Sequence, residues 1–155
     1  MSRARSLARQ RALQALYQWE LTGQSLGDIE KQFMEIDVDR EEDDPQMKGV
    51  ESGYFSELLH GIPAMLTELD ALTAPLLDRP IAQLDPIERV ILRIGSFELK
   101  QRIDIPYRVV INESVELAKL FGAEQGHKYV NGILDKLSQS LRATEIKAAA
   151  SRPRR

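Results

Sequence analysis

There is no cysteine in this chain, which excludes a disulfide framework, a thiolate metal site and a thiol nucleophile, and leaves stability to apolar burial. Such a composition fits a reducing cytoplasm. Histidine is nearly absent too, with only His60 and His127. No apolar run approaches the roughly 20 residues that span a bilayer, and Met1-Ser2-Arg3-Ala4-Arg5 has no signal-peptide core after it. No membrane association is expected. A glycine-rich phosphate loop and paired metal-ligand spacings are also missing, so neither enzymatic chemistry nor a cofactor is expected. Asp37, Asp39, Asp43 and Asp44 crowd together, but without the EF-hand order of ligands, central glycine and terminal glutamate they read as a solvated loop rather than a calcium site.

What is present is the composition of one globular domain: 155 residues, 43% hydrophobic and 29% charged. The net charge of -3 is unevenly spread. Arg3, Arg5, Arg9 and Arg11 precede the first acid, Glu20, and Arg142, Lys147, Arg152, Arg154 and Arg155 make the other end basic. The negative balance comes largely from residues 35–51, read as a solvated connection around Pro45.

Apolar residues recur at three- and four-residue spacing and never alternate over a strand length, so the fold class is all-α. Helices are expected over about 5–22, 25–36, 51–62 and 64–78, with Gly23 and Pro63 as punctuation or, at Pro63, a kink. Asp85-Pro86-Ile87-Glu88 places a cap acceptor, a first-turn proline and an acid at the start of a helix over about 86–102. Ile105-Pro106 restarts the chain into a helix near 106–121, with Gly122 as a left-handed terminator. The last helix, about 124–142, carries Val130, Ile133, Leu134, Leu137 and Leu141 on one face.

On the first helix, Ala4, Ala8, Ala12, Ala15, Leu16 and Trp19 share one arc, expected to be core, with Arg5 and Arg9 at its edge and Tyr17 outside it. Arginines neutralise phosphates and an exposed ring stacks on an unpaired base, so this group suits single-stranded nucleic acid; a solvated helix start is the plainer alternative. About three phosphate contacts would lose only about 40-fold in affinity between 50 and 200 mM salt, so the patch needs help. Arg89, Arg93 and Lys100 form a stripe opposite Ile87, Val90, Ile94 and Phe97, read as solvated surface. Glu113, between Leu117 and Leu120, should be partly buried and paired with Arg93 or Lys128.

The stretches Ala12-Leu13-Gln14-Ala15-Leu16-Tyr17-Gln18, the run from Ile105-Pro106-Tyr107 through Asn112-Glu113-Ser114 to Lys119, and His127-Lys128-Tyr129-Val130-Asn131-Gly132-Ile133-Leu134-Asp135-Lys136 resemble the NusB family of bacterial transcription antitermination factors. The resemblance spans about residues 4–142. It implies two small helical bundles within one compact domain of about seven helices, with lobes near 1–80 and 81–145, followed by a disordered basic tail, 146–155. It also implies binding of boxA RNA in ribosomal RNA leader transcripts together with the ribosomal protein NusE, within an RNA polymerase antitermination complex. Some relatives self-associate, so a homodimer in the RNA-free state is a further expectation. The family's RNA-facing positions carry over to Arg9, Tyr17, Glu88, Gln125 and Tyr129, with Arg5 a looser match and Lys128 counted beside them. Ser6 and Leu7 thin the arginine cluster, and Gln125 stands where an acid is common.

Two other readings differ in what they predict. An RNA-binding module of a ribosomal RNA methyltransferase would need a glycine-rich cofactor domain, for which there is no room after residue 142. A pure protein scaffold would show no salt-dependent RNA binding.

Overall fold

Alanine at positions 4, 8, 12 and 15 strips one face of the first helix of bulk, and a neighbouring helix packs into that space. The computed structural model describes residues 3–43, 50–122 and 125–151. Its elements among those residues are α1 (Arg3–Thr22), α2 (Leu26–Asp43), α3 (Val50–Ala64), α4 (Leu66–Thr73), two 3-10 turns (Ala74–Leu76 and Ile81–Gln83), α5 (Pro86–Gln101), α6 (Tyr107–Phe121), α7 (Gly126–Leu141) and α8 (Ala143–Ala150). The all-α expectation is met, with one helix more than the seven expected. The chain divides into two compact units, 1–66 and 67–155, where the sequence suggested a division near residue 80.

In the first unit α1 packs mainly on α3, with α2 alongside both. The alanine arc is buried with Leu13 and Leu16 against Tyr54, Phe55, Leu58, Leu59 and Ile62, whereas Trp19 is only half-buried. Phe33 of α2 stacks on Phe55 with ring centroids 5.7 Å apart. Gly23 ends α1 at φ 68°, a left-handed conformation that other residues adopt only with strain, while its N–H donates to the Trp19 carbonyl. Ser25 Oγ then accepts from the Asp28 N–H and starts α2. The acidic run read as a connection is helical in its backbone as far as Asp43. The reading followed apolar periodicity, but glutamate and arginine favour helix almost as well as leucine does. Asp44 and Pro45 lie outside the described residues.

The second unit is built on α5, which packs against α6 and α7. Its start is as expected: Asp85 accepts from the Ile87 N–H at 3.1 Å, and Pro86 opens the first turn. Gly95 lets the helices close, since a Cβ there would lie 2.6 Å from a Leu134 methyl carbon and 3.0 Å from Ser114 Oγ. α4 stops at Thr73, short of the expected 78, because Pro75 cannot donate an α-helical bond and the chain turns into 3-10 geometry. Gly122 is extended at φ -90°, ψ 179°, not left-handed. Leu141, expected on the buried face of α7, is half-buried.

The basic stripe of α5 is a correction to the sequence reading, because its cations are engaged within the unit. Arg93 donates from Nε and Nη2 to the two carboxylate oxygens of Asp70, both at 2.9 Å. Lys100 pairs with Glu68 at 3.1 Å, and Arg89 Nη1 reaches the carbonyls of Ile81, Ala82 and Leu84 at 3.2–3.4 Å. The stripe therefore straps α4 and the chain after it onto α5. Glu113 is buried as expected, and Arg93, one of the two cations suggested for it, is forked onto Asp70.

Where a disordered basic tail was expected from residue 146, helix α8 continues to Ala150; Arg152, Arg154 and Arg155 lie outside the described residues. Arg142 joins α7 to α8 and is only 4% exposed. Its Nε donates to the Leu99 carbonyl at 2.8 Å, Nη2 to those of Glu98 (3.1 Å) and Arg102 (3.0 Å), and Nη1 to that of Ile105 (2.9 Å) and to Glu145 Oε1 (2.6 Å). The Glu98 and Leu99 carbonyls belong to the last turn of α5 and those of Arg102 and Ile105 to the chain between α5 and α6; Glu98 and Arg102 also accept the Arg102 and Ile105 N–H groups. Glu145 Oε2 in turn accepts from the Tyr107 N–H at 2.8 Å, capping α6, whose own Pro106 has no side-chain acceptor. Arg142→Met is expected to lower stability by about 3–5 kcal/mol in urea unfolding, since it strands buried carbonyls and a carboxylate. Arg142→Lys should recover little, because one ammonium cannot match the fork; a near-wild-type midpoint for either variant would contradict this account.

Candidate nucleic-acid interface

The residues singled out for RNA fall into two groups, one in each unit. Arg5, Arg9 and Tyr17 lie on α1. Arg9, expected at the edge of the buried arc, is 1% exposed, and Arg11 is buried as well. The guanidinium carbon of Arg5 lies 4.9 Å from the centroid of the buried Tyr54 ring, and that of Arg9 lies 5.5 Å from it. Tyr17 is half-buried rather than exposed. The angular plot took one buried face for α1, but α2 and α3 both pack against it and widen that face. Among these three residues, then, the structure gives Arg5 and Arg9 an internal aromatic contact.

The second group gathers at the start of α7. Gln125 and Lys128 are exposed, while Glu88 and Tyr129 are half-buried. Glu88, from the first turn of α5, lies against Gly126, where any Cβ would run into its carboxylate. Glycine at this position thus lets the two helix starts come together. Burial, and then the neighbouring Asp85 charge, push the Glu88 carboxyl above its ordinary pKa, with Arg79 opposing them.

Two residues that the sequence reading passed over complete this group. The Tyr129 hydroxyl donates to Asp78 Oδ1 at 2.9 Å, and Arg79 donates from Nε and Nη2 to the two oxygens of the same carboxylate, each at 2.9 Å. The Arg79 guanidinium carbon also lies 5.7 Å from the centroid of the Tyr129 ring. Arg79, and then Tyr129, hold the Asp78 carboxyl down at about 2. Burial, and then the bond to Asp78, raise the Tyr129 phenol. Asp78 and Tyr129 are 51 positions apart, so no local periodicity pointed to their meeting.

Chemically this corner offers an aromatic ring, a primary amide, a lysine and a guanidinium beside the carboxylates of Asp78 and Glu88. Rings stack on bases, amides read base edges, and cations hold phosphates. Among the described residues no group of three or more His, Asp or Glu side chains could hold a metal ion, and no helix is long and apolar enough to cross a membrane.

The direction of the Glu88 shift gives a pH test. A carboxyl whose folded pKa is raised contributes stability that is present below its unfolded value and lost as pH rises through the folded one. Glu88→Gln should therefore melt higher than wild type at pH 7, with the difference closing at about pH 4. A lower melting temperature at pH 7 would show that the ionised form is favoured instead.

The NusB family model matches residues 6–139. The transcription antitermination protein NusB of Alkalilimnicola ehrlichii is 53% identical over 97% of this chain and 90% of its own length. That of a Marinomonas species is 55% identical over 95% of this chain and 81% of its own. Among solved structures, Thermotoga maritima NusB superposes with a TM-score of 0.75 at 30% identity, covering 90% of this chain and 94% of that one. Aquifex aeolicus NusB shares the fold, with a TM-score of 0.68 at 24% identity over 99% of this chain and 96% of that one. With its helical order, its α5 and α7 starts brought together and these relatives along nearly its whole length, the chain belongs to the NusB family of transcription antitermination proteins.

Proposed function

We propose that this protein is a non-catalytic cytoplasmic adaptor that binds single-stranded boxA RNA of ribosomal RNA leader transcripts together with the ribosomal protein NusE, in support of processive transcription by RNA polymerase. The reading is carried by the corner at the start of α7, where Tyr129 stands beside exposed Gln125 and Lys128 and in contact with Arg79. Membership in a family whose relatives are named for transcription antitermination supports it. Tyr129 would stack a base, Gln125 would bond a base edge, and Lys128 and Arg79 would hold phosphates. Carboxylates at the same corner keep its positive charge small, which gives NusE a reason to contribute contact surface.

Gel shifts of boxA RNA and of a scrambled RNA, with this chain, NusE and both together, test the proposal. The pair is expected to favour boxA and to bind more tightly than either protein alone. Tyr129→Ala should weaken binding by about 10-fold, as loss of one stacked base does. Lys128→Ala should weaken boxA and scrambled RNA alike and lower the salt slope by about 1. Equal binding of the two RNAs in every arm, or none at all, would point to the protein-scaffold reading.

A further inference from the structure

Arg79 differs from the other arginines that fork onto a carboxylate or fan over carbonyls in this unit. Arg93 and Arg142 do so in buried settings, their side chains 11% and 3% exposed, and tie helices together. The Arg79–Asp78 pair joins adjacent residues, so it connects no distant parts of the chain, and its side chains are 49% and 59% exposed. Arg102 and Asp104 form another local pair, but the Arg102 side chain is 20% exposed against 49% for Arg79. At Asp78 one carboxylate takes both a guanidinium fork and a tyrosine hydroxyl.

We propose that Asp78 is an internal substitute for a nucleic-acid phosphate: without RNA its oxygens occupy the Arg79 fork and the Tyr129 hydroxyl, and RNA binds here by taking both partners from it. This rests on the reading of the Tyr129 corner as an RNA surface and adds a control on that surface.

The chemistry is one of matched shapes. A carboxylate and a phosphate each present two oxygens to the parallel N–H groups of a guanidinium, so they compete for the same fork. An exposed ion pair is held weakly because water solvates both partners in the separated state, so the exchange is open to a ligand that brings additional contacts. The position of Arg79 over the Tyr129 ring supplies such a contact. A swing of the guanidinium toward a phosphate uncovers that ring for a base, so phosphate capture and base stacking become one event. An anion with no base to stack must displace Asp78 without that compensation. Asp78 thereby disfavours phosphate alone and favours an unpaired nucleotide, and the Glu88 charge nearby acts in the same sense.

The test uses the full chain with NusE, fluorescently labelled boxA RNA and scrambled RNA, and the variants Asp78→Asn, Arg79→Gln and the double. Asp78→Asn should tighten both RNAs by about 5-fold, the scale of one exposed ion pair, and should narrow the preference for boxA. Arg79→Gln should weaken binding and lower the salt slope by about 1. In the double variant most of the gain from Asp78→Asn should vanish, because that gain passes through Arg79. The Arg79 Nε–Hε resonance should move when RNA is added to wild type, as its partner changes from carboxylate to phosphate. The proposal is overturned if Asp78→Asn leaves affinity unchanged or lowers it, or if its gain persists in full without Arg79. In both cases loss of binding in Tyr129→Ala would leave the RNA reading standing. Absence of RNA binding by wild type with NusE would overturn both.

Discussion

The end of α5 would be untenable without Arg142. A helix that stops inside a protein leaves carbonyl groups facing a medium with no water to bond them. Here the guanidinium of a residue 43 positions further along the chain takes up the Leu99 carbonyl, and its other nitrogens collect those of Glu98, Arg102 and Ile105. The same side chain holds Glu145, which caps α6. Thus the end of α5, the start of α6 and the junction of α7 with α8 share one cation. With its far end held in this way, α5 can offer Glu88 of its first turn to the start of α7.

Several cations of α1 and α5 are directed inward. Arg5 and Arg9 lie over Tyr54, Arg89 over backbone carbonyls, Arg93 against Asp70 and Lys100 against Glu68. A count of basic residues on α1 or α5 therefore overstates the positive field presented to a polyanion. What remains at the α7 corner is small and mixed in sign, in keeping with the proposed recognition of RNA by shape and stacking alongside a partner.

Much of the fold was legible because its signals are local. Asp85-Pro86, the Gly23 turn and the apolar faces of α1 and α7 each act within a turn or two of helix. The end of α4 at Pro75 was equally local but was passed over in favour of the periodicity around it. Other features depend on contacts no single helix contains. Arg9 is buried because two helices flank α1, and α8 is held by a cap that serves α6. At the candidate site, Gln125 and Tyr129 came through the family resemblance, with Lys128 beside them, whereas Asp78 and Arg79 entered only through a contact across 51 positions.

The half-buried Trp19 has a practical corollary. It is the only tryptophan of the chain and sits on α1, within the first unit. Intrinsic fluorescence excited at the indole band consequently reports on residues 1–66, whereas far-ultraviolet dichroism sums the helices of both units. Loss of the two signals at different denaturant concentrations would reveal that the units melt as separate cooperative bodies, and coincident loss would reveal a single transition. Nature has, in effect, placed a spectroscopic label in one half of the molecule and left the other half dark.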